Sequence, residues 1–434
     1  MAPNDYHTPD LLIKGGSIYY PGADQSERGD ILIKDGQIVD IGEGLSSNGT
    51  RELDATGKLI SIGWMDMHVH LREPGQEHKE TIESGCRAAA FGGFTAVACM
   101  PNTDPPIHTR DVVEFVRERG DDTPVDVHPI ACVSQKREGE QLAEMADLKA
   151  GGAVAFSDDG SPVQDASLMR HALEYAKMLN APIINHMEEL SLNPHGQMHE
   201  GAVSTRLGLA GIPSLSEEVM IARDILLADF TGGHVHVAHI SSTGAVELVR
   251  DAKRKGIPVT AEVCPHHFSL THEEVETQSF DTHLKMHPPL RTTEDVDAIK
   301  EGLKDGTIDA ICTDHAPHAS FEKEVEFTAA PFGIIGLETA WGLIGRELIE
   351  PGILSIAEAI AKITTAPRRV LKLAMPEIFV GAKANLTVFD ADTQWTFERS
   401  HIHSKSRNTP FIGSPMIGRA FAIYNRSQLV ENDV

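Results

Sequence analysis

His68-Val69-His70 sits inside the run Gly63-Trp64-Met65-Asp66-Met67-His68-Val69-His70-Leu71-Arg72-Glu73-Pro74-Gly75. On a strand, residues two apart share a face and stand about 7 Å apart. Two imidazoles so placed can converge on one cation. Arg72 follows at the same parity, which sets a fixed positive charge beside that cation. A metal next to an arginine suits an anionic substrate. Two histidines at this spacing also occur as ordinary core or surface residues, so the weight of the pair depends on the rest of the chain.

The elements that must position them recur along the middle of the sequence. Short apolar runs appear at 62–68, 94–100, 125–132, 153–156, 182–186, 234–239, 258–264 and 308–313. Amphipathic stretches at 111–119, 165–179, 216–227 and 244–255 lie between them. Eight strand–helix units predict a parallel (β/α)8 barrel, an α/β fold. A doubly wound open sheet is the competing fold, but no G-x-G-x-x-G follows the first strand. The first 60 residues read instead as short strands and turns. Leu11–Lys14 precedes Gly15-Gly16, and Asp35-Gly36 between Ile31–Lys34 and Gln37–Ile41 is a hairpin signal. Ala384–Asp390 and Ala420–Tyr424 read as strands too. The expected division is therefore a small composite β-domain, made from residues 1–60 and 373–434, around a catalytic barrel at 61–372.

In such a barrel the chemistry lies at the carboxyl ends of the strands. Candidate ligands fall there. His68 and His70 end the first run, Asp158-Asp159 follow the fourth, His186 ends the fifth, His239 the sixth and Asp314 the eighth. A histidine at a strand end is commonly just a satisfied polar residue, and an aspartate there commonly a turn or cap residue. Their joint occurrence at five of eight strand ends is harder to explain that way. Four imidazoles and two carboxylates exceed the usual set of a single catalytic zinc. They suit two metals about 3.5–4 Å apart sharing a carboxylate. His234 and His236 have the opposite parity to His239 and are expected to face the helices. His266 and His267, at the end of the seventh run, are read as supporting residues.

Composition narrows the classes. The 434 residues carry 38 Lys+Arg against 64 Asp+Glu, a formal charge of −26. That balance argues against nucleic acid and anionic membranes as partners. No apolar run is long enough to span a bilayer. Met1–Tyr6 shows no basic n-region leading into an apolar stretch, so no secretory leader is expected. Cys86, Cys99, Cys132, Cys264 and Cys312 are scattered and contain no CxxC pair. They read as buried free thiols of a cytoplasmic protein.

The motifs together resemble a known family. His68–Gly75, Gly92-Gly93-Phe94-Thr95 with Met100-Pro101-Asn102-Thr103, Phe156-Ser157-Asp158-Asp159-Gly160, Pro288-Pro289-Leu290-Arg291, Thr313-Asp314-His315-Ala316-Pro317-His318, Ala330-Pro331-Phe332-Gly333 and Asn408–Gly413 resemble the bacterial type I dihydroorotases of the amidohydrolase superfamily. The resemblance spans essentially the whole chain. It implies two zinc ions per subunit, bridged by Asp159 and a hydroxide. His68, His70, Asp159 and Asp314 would hold one, and Asp159, His186 and His239 the other. Related hydantoinases and allantoinases bridge their metals with a carboxylated lysine, and no lysine ends the fourth run here.

The implied reaction is the reversible cyclisation of N-carbamoyl-L-aspartate to L-dihydroorotate and water, in pyrimidine biosynthesis. Asp314 would be the catalytic base and then acid. Arg72, Asn102 and His318 would bind the substrate carboxylate, with Phe332 and Gly333 adding backbone contacts. His287 stands where the family usually has a substrate-contacting asparagine. Ring opening releases a proton, so acid favours cyclisation. Ala319–Ala330 is expected to be a loop beside the pocket, its charges a solvated face. A homo-oligomer is expected, with aspartate transcarbamoylase as a further candidate partner. The competing readings are a hydantoinase- or allantoinase-like cyclic amidase, and a non-catalytic scaffold for aspartate transcarbamoylase. The scaffold is disfavoured because all six ligand positions are filled.

Overall fold

The structure is a computed structural model that describes residues 10–47 and 49–432; the amino-terminal segment read for a leader lies outside them. Seven of the eight expected barrel positions are regular strands: Trp64–Val69, Phe94–Cys99, Asp126–Pro129, Ile183–Asn185, Val235–Val237, Val259–Val263 and Ala310–Ile311. The fourth, at 153–156, joins its neighbours only through the single parallel bridges Ala131–Phe156 and Phe156–Ile183. Its flanks explain this. Val154 N–H goes to the Pro129 carbonyl and Phe156 N–H to the Pro182 carbonyl, and prolines have no N–H to return. A parallel bridge between Val69 and His315 closes the ring from the eighth position to the first.

The barrel interior is filled rather than open. Met65, Met67, Met100 and Ile184 interdigitate with Ala96, Ala98, Ala238 and Ala310, large against small as a barrel of this size requires. Val370 and Leu371 belong to the same cluster and plug it. A second cluster lies between strands and helices, with Val97, Val235, Val237 and Val263 on the strand side. The helices start where the sequence provides caps. Asp165 accepts Leu168 N–H at the head of Ala166–Met178, and Ser242 accepts Ala245 N–H at the head of Thr243–Arg254. Among the described residues no helix is long and apolar enough to cross a membrane. All five cysteines are buried and free.

Both ends of the chain build one sheet. Leu59–Ile62 pairs in parallel with Ser17–Tyr19 and antiparallel with Leu386–Phe389, so amino- and carboxyl-terminal strands are neighbours. The Asp35-Gly36 turn joins Lys34 to Gln37 with both residues at positive φ, 49° and 74°, as a two-residue hairpin needs. Gly15-Gly16 does not end its strand as expected. Leu11–Tyr19 runs straight through, with a register shift between Ile13 and Gly16. Gly15 adopts φ 77° there and gives its N–H to Asp30, so the glycines make a bulge instead of a turn.

Trp64 is the joint between sheet and barrel. Its fully buried indole packs on Phe94, Trp341 and Phe389, at ring-centre distances of 6.0, 4.8 and 5.1 Å. Its Nε1–H donates to Ser61 Oγ at 3.1 Å. Trp64→Ala should remove about 3–5 kcal/mol of stability, read as a lower denaturant midpoint in equilibrium unfolding.

Candidate metal centre

Barrel closure brings the first and eighth strand ends together. His70 N–H donates to the His315 carbonyl at 2.8 Å. Asp66 accepts from His68 N–H at 3.0 Å and from Thr313 N–H at 3.0 and 3.2 Å. His68 Nδ1–H donates to Glu262 Oε1 at 2.6 Å, and His70 Nδ1–H to Asn102 Oδ1 at 2.7 Å. Each bond fixes a tautomer and leaves Nε2 as a bare lone pair aimed inward. His70 Nε2 lies 2.9 Å from Asp314 Oδ1, and His68 Nε2 lies 3.6 Å from the same oxygen.

Asp159 stands between two pairs of imidazoles. Its Oδ2 is 3.5 Å from both His68 Nε2 and His70 Nε2. Its Oδ1 is 3.8 Å from His186 Nδ1 and 3.5 Å from His239 Nε2. Those last two nitrogens are 2.9 Å apart. All six residues are buried. His68 Nε2 and Asp159 Oδ1 have no hydrogen-bond partner among the described residues. Orphaned buried acceptors that converge in this way fit divalent cations, one on each side of the carboxylate. The electrostatics agree. Burial alone would raise Asp159, but His68 and the neighbouring imidazoles hold it well below the usual carboxylate range. Burial would likewise lower His68, yet Asp159 and Glu262 raise it well above an ordinary imidazole, so its Nε2 favours a positive partner that a cation would supply in place of a proton.

Three residues of the site have left-handed backbone: Arg72 at φ 64°, His239 at 32° and Asp314 at 47°. Such strain persists where surrounding structure over-determines it. Arg72 donates Nε–H to the Pro317 carbonyl at 3.2 Å, and burial lowers it to about 10. It does not pair with Glu73, which takes Ile82 N–H and Arg119 instead. Asn102 has its oxygen on His70, which leaves its amide nitrogen to face Gly160. His318 gives Nε2–H to the Phe332 carbonyl at 2.8 Å, and burial with nearby Arg72 lowers it to about 2. Gly333 differs from expectation. Its N–H goes to the Lys285 carbonyl and its oxygen to Asn408, so its backbone is already engaged. Its φ of 120° and the 2.7 Å approach of Ala316 Cβ to a would-be Cβ admit only glycine. His287 stacks on the Phe332 ring at 4.7 Å and donates Nε2–H to Glu188 at 2.8 Å.

Other expectations are corrected. His236 faces the barrel interior, not the helices. It approaches Glu262 at 3.3 Å and is fully buried. The parity argument failed because the strand ends at Val237 and His239 turns left-handed. The charged run at 319–330 is not wholly solvated. Lys323 is buried in a short helix, and its Nζ donates to the Thr282, Lys285 and Pro331 carbonyls. Desolvation and the nearby Lys285 charge outweigh Asp281 and Glu322, and it falls to about 7. Asp158 stays out of the cluster and accepts Val133 and Ser134 N–H groups. Sequence reasoning also missed Asp66, Glu188 and Glu262. A carboxylate two residues beyond His186, and another inside the seventh strand, were the available signals.

A closed barrel with a buried cluster of imidazoles and carboxylates at its carboxyl end, beside a two-ended β-domain, is the architecture of the barrel amidohydrolases. Solved structures of similar fold include the L-hydantoinase of Arthrobacter aurescens, with TM-score 0.85, 24% identity, and 98% of this chain and 96% of that one covered. The D-hydantoinase of a Thermus species gives TM-score 0.81 and 26% identity over 98% and 95%. A family profile described as dihydro-orotase-like matches residues 57–245. The dihydroorotase of Pelotomaculum thermopropionicum is 51% identical over 98% of this chain and 99% of that one. That of Syntrophus aciditrophicus is 48% identical over 97% and 99%. The chain belongs to the dihydroorotase family.

The two adjacent aspartates separate structural from ligating roles. Asp158→Ala should cost about 1–3 kcal/mol by orphaning buried donors while bound metal stays at the wild-type level. Asp159→Ala should lose metal. Paired unfolding curves and elemental analysis check both.

Proposed function

We propose that this protein is a zinc-dependent dihydroorotase, which interconverts N-carbamoyl-L-aspartate and L-dihydroorotate with two cations per chain. The supporting observation is Asp159, which offers one oxygen to each imidazole pair beside a buried arginine. The curated relatives described above, nearly half identical or more along almost their full length, are dihydroorotases. The assigned ligands are His68, His70, Asp159 and Asp314 for one cation, and Asp159, His186 and His239 for the other. The working division is a barrel at 61–372 between the two parts of the β-domain.

When bound, such cations supply a hydroxide nucleophile at neutral pH and polarise the amide carbonyl. The residues do the rest. Burial would raise Asp314, but its bond with His70 and the nearby imidazoles hold it at about 2, so it is an ionised acceptor. Its Oδ1 faces His70, so Oδ2 is free to take the nucleophile's proton and return it to the leaving ring nitrogen. One C–O bond forms, one C–N bond breaks, and the new carboxylate balances the charge. Arg72 grips the carboxylate that substrate and product share. The Asn102 amide nitrogen donates to it from one side. The Nδ1 of His318 has no hydrogen-bond partner among the described residues, with Glu322 Oε2 3.7 Å away. A bound carboxylate favours the imidazolium of His318, so Nδ1–H can reach substrate while Nε2–H keeps the Phe332 carbonyl. Among the described residues the Phe332 amide has no partner in its turn, which leaves it as the backbone donor.

A face exposing Leu215, Val219, Leu226 and Phe230 on one helix supports self-association, or docking of aspartate transcarbamoylase, as part of the same proposal. The hydantoinase neighbours share the fold, and their low identity carries no substrate assignment.

The zinc-loaded protein should interconvert dihydroorotate and carbamoyl aspartate and leave hydantoin untouched. Turnover of hydantoin alone would overturn the reading. Asp314→Asn should lower kcat by about 10²–10⁴-fold. Arg72→Lys should act mainly on KM, because a point charge replaces a two-pronged fork. Steady-state kinetics in both directions separates the two effects.

A further inference from the structure

His287 does not sit as a free substrate contact. Its ring is wedged between Phe332, stacked at 4.7 Å and 26°, and His186, edge-on at 4.9 Å. Its Nε2–H is committed to Glu188 Oε1 at 2.8 Å. Asn193 Nδ2 donates to the same oxygen at 2.5 Å. The other oxygen, Oε2, lies 3.4 Å from His186 Nε2. Glu188 is only 4% exposed, and a carboxylate only accepts. It is therefore an acceptor surrounded by three donors.

The consequence falls on His186. Its Nδ1 points to His239 and Asp159, so that atom must stay bare to bind a cation. Its proton must then sit on Nε2, where Glu188 is the acceptor in reach. An imidazole's second nitrogen decides which tautomer its first presents. An asparagine at 287, as in the resembling family, ends one bond nearer the backbone than the histidine Nε2. It would hold Glu188 in a different place.

We propose that Glu188 is a positioning residue for the second cation, and that His287 tunes that cation's affinity by anchoring Glu188 against His186. The inference rests on the two-cation reading above. It links the pocket wall at Phe332 to the half of the centre built from Asp159, His186 and His239. The other half is oriented separately, by Glu262 and Asn102.

The test uses the full-length zinc-loaded chain and follows loss of each metal to a chelator, with melting curves as a check on folding. Glu188→Gln should release one of the two ions about 10- to 100-fold faster than wild type and leave the other unchanged. His287→Asn, a half-buried exchange at the pocket wall, should move the same ion in the same direction by less, and it decides the matter if the Glu188 variant does not fold. Unchanged release in both variants, or equal loss of both ions, would overturn the proposal. Release changed by Glu188→Gln alone would remove His287 from it. A wild-type chain that never holds more than one ion would instead overturn the two-cation reading.

Discussion

The site depends on how the barrel closes. The first and eighth strand positions meet through one parallel bridge and the His70 N–H to His315 carbonyl bond. Asp66, buried and raised to about 6 by desolvation, clasps the same seam through backbone amides on both sides. Without it His70 and Asp314, 244 residues apart in sequence, would have no reason to touch. The left-handed turns at Arg72 and Asp314 follow directly after this seam. They swing one guanidinium and one carboxylate over the barrel mouth, where ordinary strand geometry would carry them past it.

The second constraint is charge. Asp66, Asp159, Glu188, Glu262 and Asp314 are all buried at one end of a chain that is already strongly acidic. Burying so many carboxylates is costly unless each is paired. The imidazoles answer part of that cost, and each carboxylate in turn fixes an imidazole. The ordering carboxylates lie outward of the histidines and the shared one lies between them. The polarity of the centre is thus built in layers, with the unpaired lone pairs innermost.

Much of this was readable from residue types. Eight apolar runs marked the barrel, and the His or Asp residues at five of their ends marked six candidate ligands, because strand ends and chemistry coincide in that architecture. Arg72 was read from parity, yet it lies beyond the strand end at Val69 with φ 64°, so the turn and not strand alternation sets its direction. What parity could not supply was the backbone beyond the strand ends. His236 was turned the wrong way because a left-handed residue, His239, interrupted the count. The fourth strand lost its ladder to prolines on its neighbours, Pro129 and Pro182. The orienting carboxylates Glu188 and Glu262 were invisible for another reason: each works by reaching a histidine brought near only by folding. Gly333 was read as a ligand contact from its motif, whereas its amide is tied to Lys285. Lys323, read as solvated from its charged neighbours, is sealed among carbonyls.

The two-ended sheet has a consequence for how the chain is made. Leu59–Ile62 finds its antiparallel partner in Leu386–Phe389, so during synthesis its edge stays open until most of the chain has emerged. That edge is apolar on the inside and short of partners, the kind of surface that templates wrong pairings. Barrel strands can pair in order behind it, but the indole of Trp64 cannot be fully enclosed until Phe389 arrives. Assembly is therefore finished from the far end. A chain that stopped between Val370 and Leu386 would have its barrel written in full and its seal still missing.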